Sequence, residues 1–362
     1  MCTRRRFLSR GTAAVLTLAG GGRLLQGDTR DALPDGSAAK GMITPAAQKA
    51  IDQGLEYLIR SQAANDGSLG TGQYRGNVGI TSLGALALMA GGHQPGRGAH
   101  GKAVTKALEY VLNQEEDNSG YLHKRAFFGH EHGPMYGHGF GTLFLAEVYG
   151  MVHDKELRDR LKGTLQRAVK LVIKSQNSAG GWRYTPQSVD ADISVTICQI
   201  MALRAARNAG FSVPKATVDR CIEYVKKCQD PEGGFRYMIQ GGGAAFARTA
   251  AGVVALYSAG VYKGPEVEAG LKYLLACKPR QNFFHADMHY FYGHYYAAQA
   301  MWTAGGNYWS EWYPAIRDEL VTRPNRTRDE GSWTDGICPH YGTAMACIIL
   351  QIPNNYLPIL QK

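Results

Sequence analysis

The chain has 362 residues, 44% of them hydrophobic and 19% charged, a composition that excludes wholesale disorder. Its length suits one large domain or two small ones. The formal net charge is +10, but residues 1–40 carry seven Arg or Lys against three Asp, which leaves about +6 beyond them. An excess that small and that dispersed does not point to nucleic acid.

The first stretch reads as an address. Thr3-Arg4-Arg5-Arg6-Phe7-Leu8-Ser9 has the twin-arginine export pattern: a polar residue, paired arginines, then Phe-Leu. The apolar run that follows, Gly11 to Gly22, is too short to span a bilayer. We therefore expect residues 1–40 to be a signal peptide and linker, cut near Ser37-Ala38-Ala39. The mature chain is expected in the periplasm, without a membrane span. A plain basic tail is the competing reading. Seven cysteines occur, with no CxxC. Cys198 and Cys347 lie in apolar runs, as buried free thiols do. Cys221 and Cys228 fall two turns apart on one helix, about 10 Å, beyond disulfide reach.

The remainder repeats at close to fifty residues, with one longer interval. Ser61-Gln62 leads to Gly67-Ser68-Leu69, and Asn113-Gln114 to Gly120-Tyr121. Ser175-Gln176 leads to Gly180-Gly181-Trp182, and Cys228-Gln229 to Gly233-Gly234-Phe235. Cys277-Lys278 leads loosely to Phe283-Phe284, and Arg328-Asp329-Glu330 to Gly331-Ser332-Trp333. Six units thus fill residues 44–362.

Each unit has two helical halves. The first is amphipathic, as in Ala47, Ile51, Leu55, Leu58 and Ile59, or Leu161, Leu165, Ala168 and Val172. The second is apolar nearly all round: Thr81–Ala90, Thr142–Tyr149, Ser194–Ala205, Thr249–Ala259, Tyr295–Ala304 and Thr343–Ile352. Such helices must be enclosed. Gly91, Gly150, Gly210, Gly260 and Gly305 stand where left-handed caps are expected. The last unit is as apolar as the middle ones, whereas an open solenoid needs polar ends. The pattern therefore predicts an all-α fold, a single (α/α)6 toroid with a wet outer ring and a dry inner one. An open solenoid is the alternative.

The repeated Gln…Gly-Trp/Phe spacing, best in Gln176…Gly181-Trp182 and Gln229…Gly234-Phe235, resembles that of the squalene cyclase and protein prenyltransferase superfamily. The resemblance covers residues 44–362. It implies Gln-Trp turns that fasten the outer layer and inner-helix mouths that open on an apolar cavity for isoprenoid chains. The cyclase acid motif, Asp-x-Asp-Asp before Thr or Ser, corresponds to Asp190-Ala191-Asp192-Ile193-Ser194. The protonating acid maps onto Asp192, while Ile193 stands where the last carboxylate would be. The prenyltransferase zinc motif has only a misspaced analogue in Asp335 to His340.

Four constellations carry candidate chemistry. Asp190 and Asp192 sit at the mouth of an apolar helix, where burial raises a carboxyl's pKa and makes it a proton donor. The plainer reading of Asp192 is a helix N-cap. His130, His132 and His138 with Glu131, and Asp287 and His289 with His285 and His294, are weak metal candidates, zinc among them, against ordinary hydrogen-bonding roles. No cofactor is otherwise expected. The chain is rich in tyrosine, with 20, and its aromatic residues gather at the starts of the dry helices. Tyr136, Phe140, Tyr184, Phe246, Tyr290, Tyr292, Tyr295, Tyr296, Trp302 and Tyr341 suit a ligand cavity whose ring faces meet a cation, or a packed core. Arg248 suits an anionic ligand group or an ion pair with Asp190 or Asp192. Gly241-Gly242-Gly243 lacks the lysine and strand of a phosphate loop.

The expectation is an exported toroid that takes an apolar, isoprenoid-like ligand, with Asp192 as the acid if it is an enzyme. A non-catalytic scaffold and a carbohydrate-active toroid are the alternatives.

Overall fold

The protein is described by a computed structural model over residues 37–124, 133–279, 289–323 and 331–361. Twelve α-helices fall among the described residues, in alternating outer and inner positions. The outer helices are α1 (Pro45–Arg60), α3 (Gly101–Asn113), α5 (Lys155–Lys174), α7 (Lys215–Lys227), α9 (Pro265–Ala276) and α11 (Gly306–Thr322). The inner ones are α2 (Val78–Ala90), α4 (Pro134–Val148), α6 (Ile193–Asn208), α8 (Phe246–Ser258), α10 (Tyr290–Ala304) and α12 (Pro339–Gln351). A two-residue ribbon, β1 (Glu115–Glu116) with β2 (Tyr121–Leu122), tightens the second turn.

The inner helices close on themselves. Helix α2 packs on α4, α4 on α6, α6 on α8, α8 on α10, α10 on α12, and α12 back on α2. Every residue of α2 is buried, as its lack of a polar face requires. Across the closing seam the Gln351 Nε2 donates to the Ala87 carbonyl at 3.0 Å, and Asn354 Nδ2 donates to that of Ala90 at 3.0 Å. The predicted toroid is therefore what forms.

The repeated glutamines are the clasps between units. Gln176 Nε2 donates to Gly180 O at 2.8 Å, within its own turn, and to Thr217 O at 2.8 Å, at the start of the next outer helix. Gln62 does the same with Gly67 O and Ala103 O, and Gln229 with Gly233 O and Glu266 O. Gly180 has φ +97°, and a Cβ there would lie 2.2 Å from the Arg220 carbonyl oxygen, so the turn admits only glycine. Trp182 and Trp333 then reach back through Nε1 to carbonyls of the preceding outer helix, Val172 at 2.8 Å and Leu320 at 3.0 Å.

A second repeated bond ties each turn to its inner helix. The backbone N–H groups of Leu69, Trp182, Phe235 and Trp333 donate to the hydroxyls of Thr81, Thr196, Thr249 and Thr343, all at 3.0–3.1 Å. In the second unit His138 takes that position, and Leu122 N–H donates to its Nδ1 at 3.2 Å.

The structure departs from expectation at helix starts. Helix α4 begins at Pro134, eight residues before Thr142, because its glycines serve packing and not loops. A Cβ on Gly139 would lie 2.8 Å from Cys198 Cβ, so α4 and α6 meet there backbone to backbone. Of the predicted left-handed caps, Gly210, Gly260 and Gly305 have positive φ, while Gly92 takes the place assigned to Gly91.

The far end of the ring is stopped by the C-terminal segment. Ile359 and Leu360 are buried there. Ile359 N–H donates to Glu147 Oε2 at 3.0 Å, Arg204 NH2 donates to Gln361 O at 2.8 Å, and Trp302 Nε1 donates to Leu360 O at 3.0 Å. Burial pushes the Glu147 carboxyl up to about 7, against the pull of Ile359 N–H and Arg204.

Gln176→Ala leaves two carbonyls without their donor, and a loss of about 2 kcal/mol is expected in urea unfolding. Gln48→Ala, which removes an exposed contact to Asp52, is expected to change stability by less than about 0.5 kcal/mol. Equal losses in the two variants would contradict the clasp.

Candidate active site

The third unit brings a carboxyl to the mouth of the ring. Asp192 is the N-cap of α6: its extended backbone starts the helix, and Val195 N–H donates to its Oδ1 at 2.8 Å. Two backbone bonds hold the residue in place, Asp192 N–H to Trp182 O at 3.0 Å and Ile193 N–H to Tyr237 O at 2.9 Å. Because the turn folds over it, Asp192 is 0% exposed. Both readings of this aspartate thus describe one side chain, a cap that is also buried.

The second carboxylate oxygen faces a cation. Arg183 NH1 lies 3.3 Å from Asp192 Oδ2, and Arg183 Nε lies 3.5 Å from Asp190 Oδ2. Asp190 itself turns outward, with its side chain 47% exposed. The guanidinium sits over the rings of Tyr184 and Tyr237, at 4.6 and 5.3 Å from their centroids. The two phenols meet oxygen to oxygen at 2.5 Å. Burial pushes the Asp192 carboxyl up to about 6, against the opposing pull of Val195 N–H and Arg183. Near that pH the group holds and releases a proton.

Aromatic side chains fill the space beyond it. Burial first, and next the Asp192 carboxylate, hold the Tyr136 phenol well above its ordinary value. Tyr292 donates its hydroxyl to Ser194 O at 2.9 Å, and Tyr296 Oη lies 3.4 Å from Cys198 Sγ, a thiol that burial pushes up to about 12. Phe140 meets Tyr295 edge-on at 6.3 Å, Tyr295 meets Tyr296 at 4.8 Å, and Tyr341 is buried near Tyr295 and Cys198. These rings pack on one another, and two cavities, of about 770 and 400 Å³, lie away from them.

Other candidates part from this group. Phe246 packs on His294 and Trp312, Tyr290 donates to Glu319 Oε1 at 2.7 Å, and Trp302 holds the C-terminal segment. Arg248 pairs with neither aspartate. It donates to Gly243 O at 2.6 Å and covers the Tyr237 ring at 5.2 Å. His138 is corrected as a metal candidate: its Nδ1 accepts the Leu122 N–H and burial lowers its pKa to about 3, so it is a neutral strut. His294 occupies the same register in α10. His289 is exposed, and His130, His132 and Asp287 lie outside the described residues. Among the described residues no group of three His, Cys, Asp or Glu side chains is placed to hold a metal.

Arg183 and Tyr237 were not expected. Their signal is a string that recurs in two adjacent units, Gly180-Gly181-Trp182-Arg183-Tyr184 and Gly233-Gly234-Phe235-Arg236-Tyr237, whose tyrosines touch in space.

A closed ring of six helix pairs defines the α/α-toroid class. The family model of the prenyltransferase alpha-alpha toroid domain matches residues 143–284, and the fold of the chain is an α/α toroid. Among curated proteins none matches it by sequence. Among solved structures it is similar to a variant of the type II terpene cyclase MstE from Scytonema, bound to its substrate geranylgeranyl dihydroxybenzoate. There identity is 14%, coverage 86% of this chain and 98% of that one, and the TM-score 0.60. It is also similar to cellobiose 2-epimerase from Bacillus thermoamylovorans, with 12% identity, coverage of 85% and 99%, and a TM-score of 0.61. An α-1,6-mannanase of Salegentibacter matches with 9% identity, coverage of 84% and 98%, and a TM-score of 0.59. At such identities the likeness is one of fold.

Asp192→Asn keeps a capping oxygen, whereas Asp192→Ala loses it and is expected to cost about 1 kcal/mol more. The Asp192 pKa is raised on folding, so its favourable contribution is present below its unfolded value and is lost as pH rises through about 6. Stability of the wild type relative to Asp192→Asn is therefore expected to fall between about pH 4 and about pH 7. Urea unfolding across that range checks both, and a flat difference would contradict the raised pKa.

Proposed function

We propose that the ring mouth over α6 takes an apolar, isoprenoid-type ligand and that Asp192 is a general acid toward its double bond. The observation that carries this is a fully buried carboxyl, held near pKa 6, beside a cluster of tyrosine rings. Protonated Asp192 gives its proton to one alkene carbon, which leaves a cation on the other. A second double bond in the same ligand attacks that cation and closes a ring. Loss of a proton elsewhere restores neutrality, so the step is an isomerisation that needs no co-reactant. The faces of Tyr136, Tyr184 and Tyr292 suit the cation. Arg183 stabilises the carboxylate left behind. Entry requires some of these packed rings to turn aside, with Phe140, Tyr295 and Tyr341 forming the walls further in.

The match to the prenyltransferase toroid and the cyclase neighbour support this reading. A sugar-processing reading needs a second carboxylate facing Asp192 across a polar groove. Asp190 does not serve, since it turns outward on the same guanidinium. We also propose that Thr3–Ser9 directs twin-arginine export. In that case Arg4→Lys with Arg5→Lys leaves the protein in the cytoplasm on cell fractionation, and unchanged export rejects the address.

Mass spectrometry of lipids that co-purify with the exported protein tests the ligand. An isoprenoid-type lipid is expected with wild type and with Asp192→Asn. Its cyclised product is expected with wild type alone, and more of it as pH falls through about 6. Lipid without product in either protein supports the scaffold reading, and no lipid in either rejects both.

A further inference from the structure

The far end of the ring lies about 18 Å from Asp192, measured along α6 to Arg204. It is closed by a strap, Leu357 to Gln361, which the inner helices hold by its backbone. The Ile359 N–H donates to Glu147 Oε2 of α4, the Leu360 carbonyl accepts from Trp302 Nε1 of α10, and the Gln361 carbonyl accepts from Arg204 NH2 of α6. Just upstream, Asn354 Nδ2 donates to Ala90 O at the end of α2. Four helix ends thus grip one short segment, and Leu357, Ile359 and Leu360 are buried against them.

One grip is out of keeping with its register. Nine residues beyond His138, the residue of α4 that meets its turn, stands Glu147. The same count from Thr81, Thr196, Thr249, His294 and Thr343 reaches Ala90, Ala205, Ser258, Thr303 and Ile352, none of them ionisable. The ring therefore packs without an acid at this level. A carboxylate is also the wrong charge for the place. It stands in the last turn of α4, at the negative end of the helix dipole, and is 4% exposed. Of the elements around it, α6 presents Arg204, whose guanidinium also donates to Tyr257 O, and α10 presents Tyr295. Helix α2 and Leu357 to Gln361 carry no ionisable side chain, and among the described residues none of α5 acts on it.

We infer that the strap is a proton-linked closure of the far end, with Glu147 as its latch: it docks while the carboxyl holds its proton and lifts as the proton passes to water. Lifting gives the carboxylate its hydration and uncovers the ends of α4, α6 and α10, so the ring gains a second mouth. Burial raises the docked carboxyl to about 7, so the docked form holds the extra proton. Docking is then strongest below the ordinary glutamate value and weakens as pH rises through about 7. This device is independent of the reading given to Asp192.

Hydrogen exchange of the whole protein, followed by mass spectrometry of the peptide that carries the strap, tests it. Protection is taken relative to the intrinsic rate at each pH. In the wild type, strap protection is expected to fall about tenfold from pH 6 to pH 8, as a carboxyl near 7 when docked and in its ordinary range when open requires. Peptides from α5 and α7 are expected to keep theirs. Glu147→Gln keeps an acceptor without the charge, and its strap is expected to be equally protected at both pH values. Trp302→Phe removes a grip and leaves the latch, so protection is expected to be lower throughout with the same tenfold ratio. Melting curves confirm that the variants fold. If Glu147→Gln does not fold, the ratios in wild type and Trp302→Phe decide. Constant protection in the wild type, the same fall in Glu147→Gln, or an equal fall in α5 and α7 overturns the proposal.

Discussion

Six helices without a polar face have to be hidden from water by the same chain that makes them. Closing the ring does this in one step, because each dry helix then has a dry neighbour on both sides and a wet helix behind it. The seam between α12 and α2 is as dry as the other contacts and is sealed by side-chain amides from Gln351 and Asn354. Closure also removes the bare ends that a stack of repeats leaves exposed. Every later feature of the molecule is a consequence of this enclosure.

A polar group carried into such a ring must find a partner at its rim. Threonine hydroxyls meet the turn above them, and His138 does so with an imidazole where its neighbours use a hydroxyl. Glu147 at the far end holds the C-terminal segment and keeps a raised pKa for it. Asp192 obeys the same rule at the mouth, bonded to Val195 N–H and facing Arg183. What sets it apart is position. Glu147 is sealed beneath the C-terminal segment, whereas Asp192 stands beside tyrosines at the opposite end of the ring.

Much of the fold was legible because burial leaves a mark in sequence. Charge disappears from Val78–Ala90 and recurs every three to four residues in Pro45–Arg60, and that contrast separates the two layers. Gln176 and Gln229 were visible as a spacing, and the structure shows what each amide grips. The start of α4 was hidden because Gly137, Gly139 and Gly141 look like a loop until a second helix is seen to need their missing side chains. His138 looked like a ligand for want of register with Thr81 and Thr196. Asp192 was found because a carboxylate before an apolar run is conspicuous. Arg183 was not, since a cation after Trp182 has no meaning until the turn folds it over the aspartate.

The account rests on burial outweighing Arg183 in setting the proton affinity of Asp192. Carbon-13 NMR titration of aspartate-labelled protein measures that balance directly. We expect one carboxyl resonance, absent from Asp192→Asn, to titrate with a midpoint near 6. A midpoint at or below about 4, the ordinary value for aspartate, would contradict it.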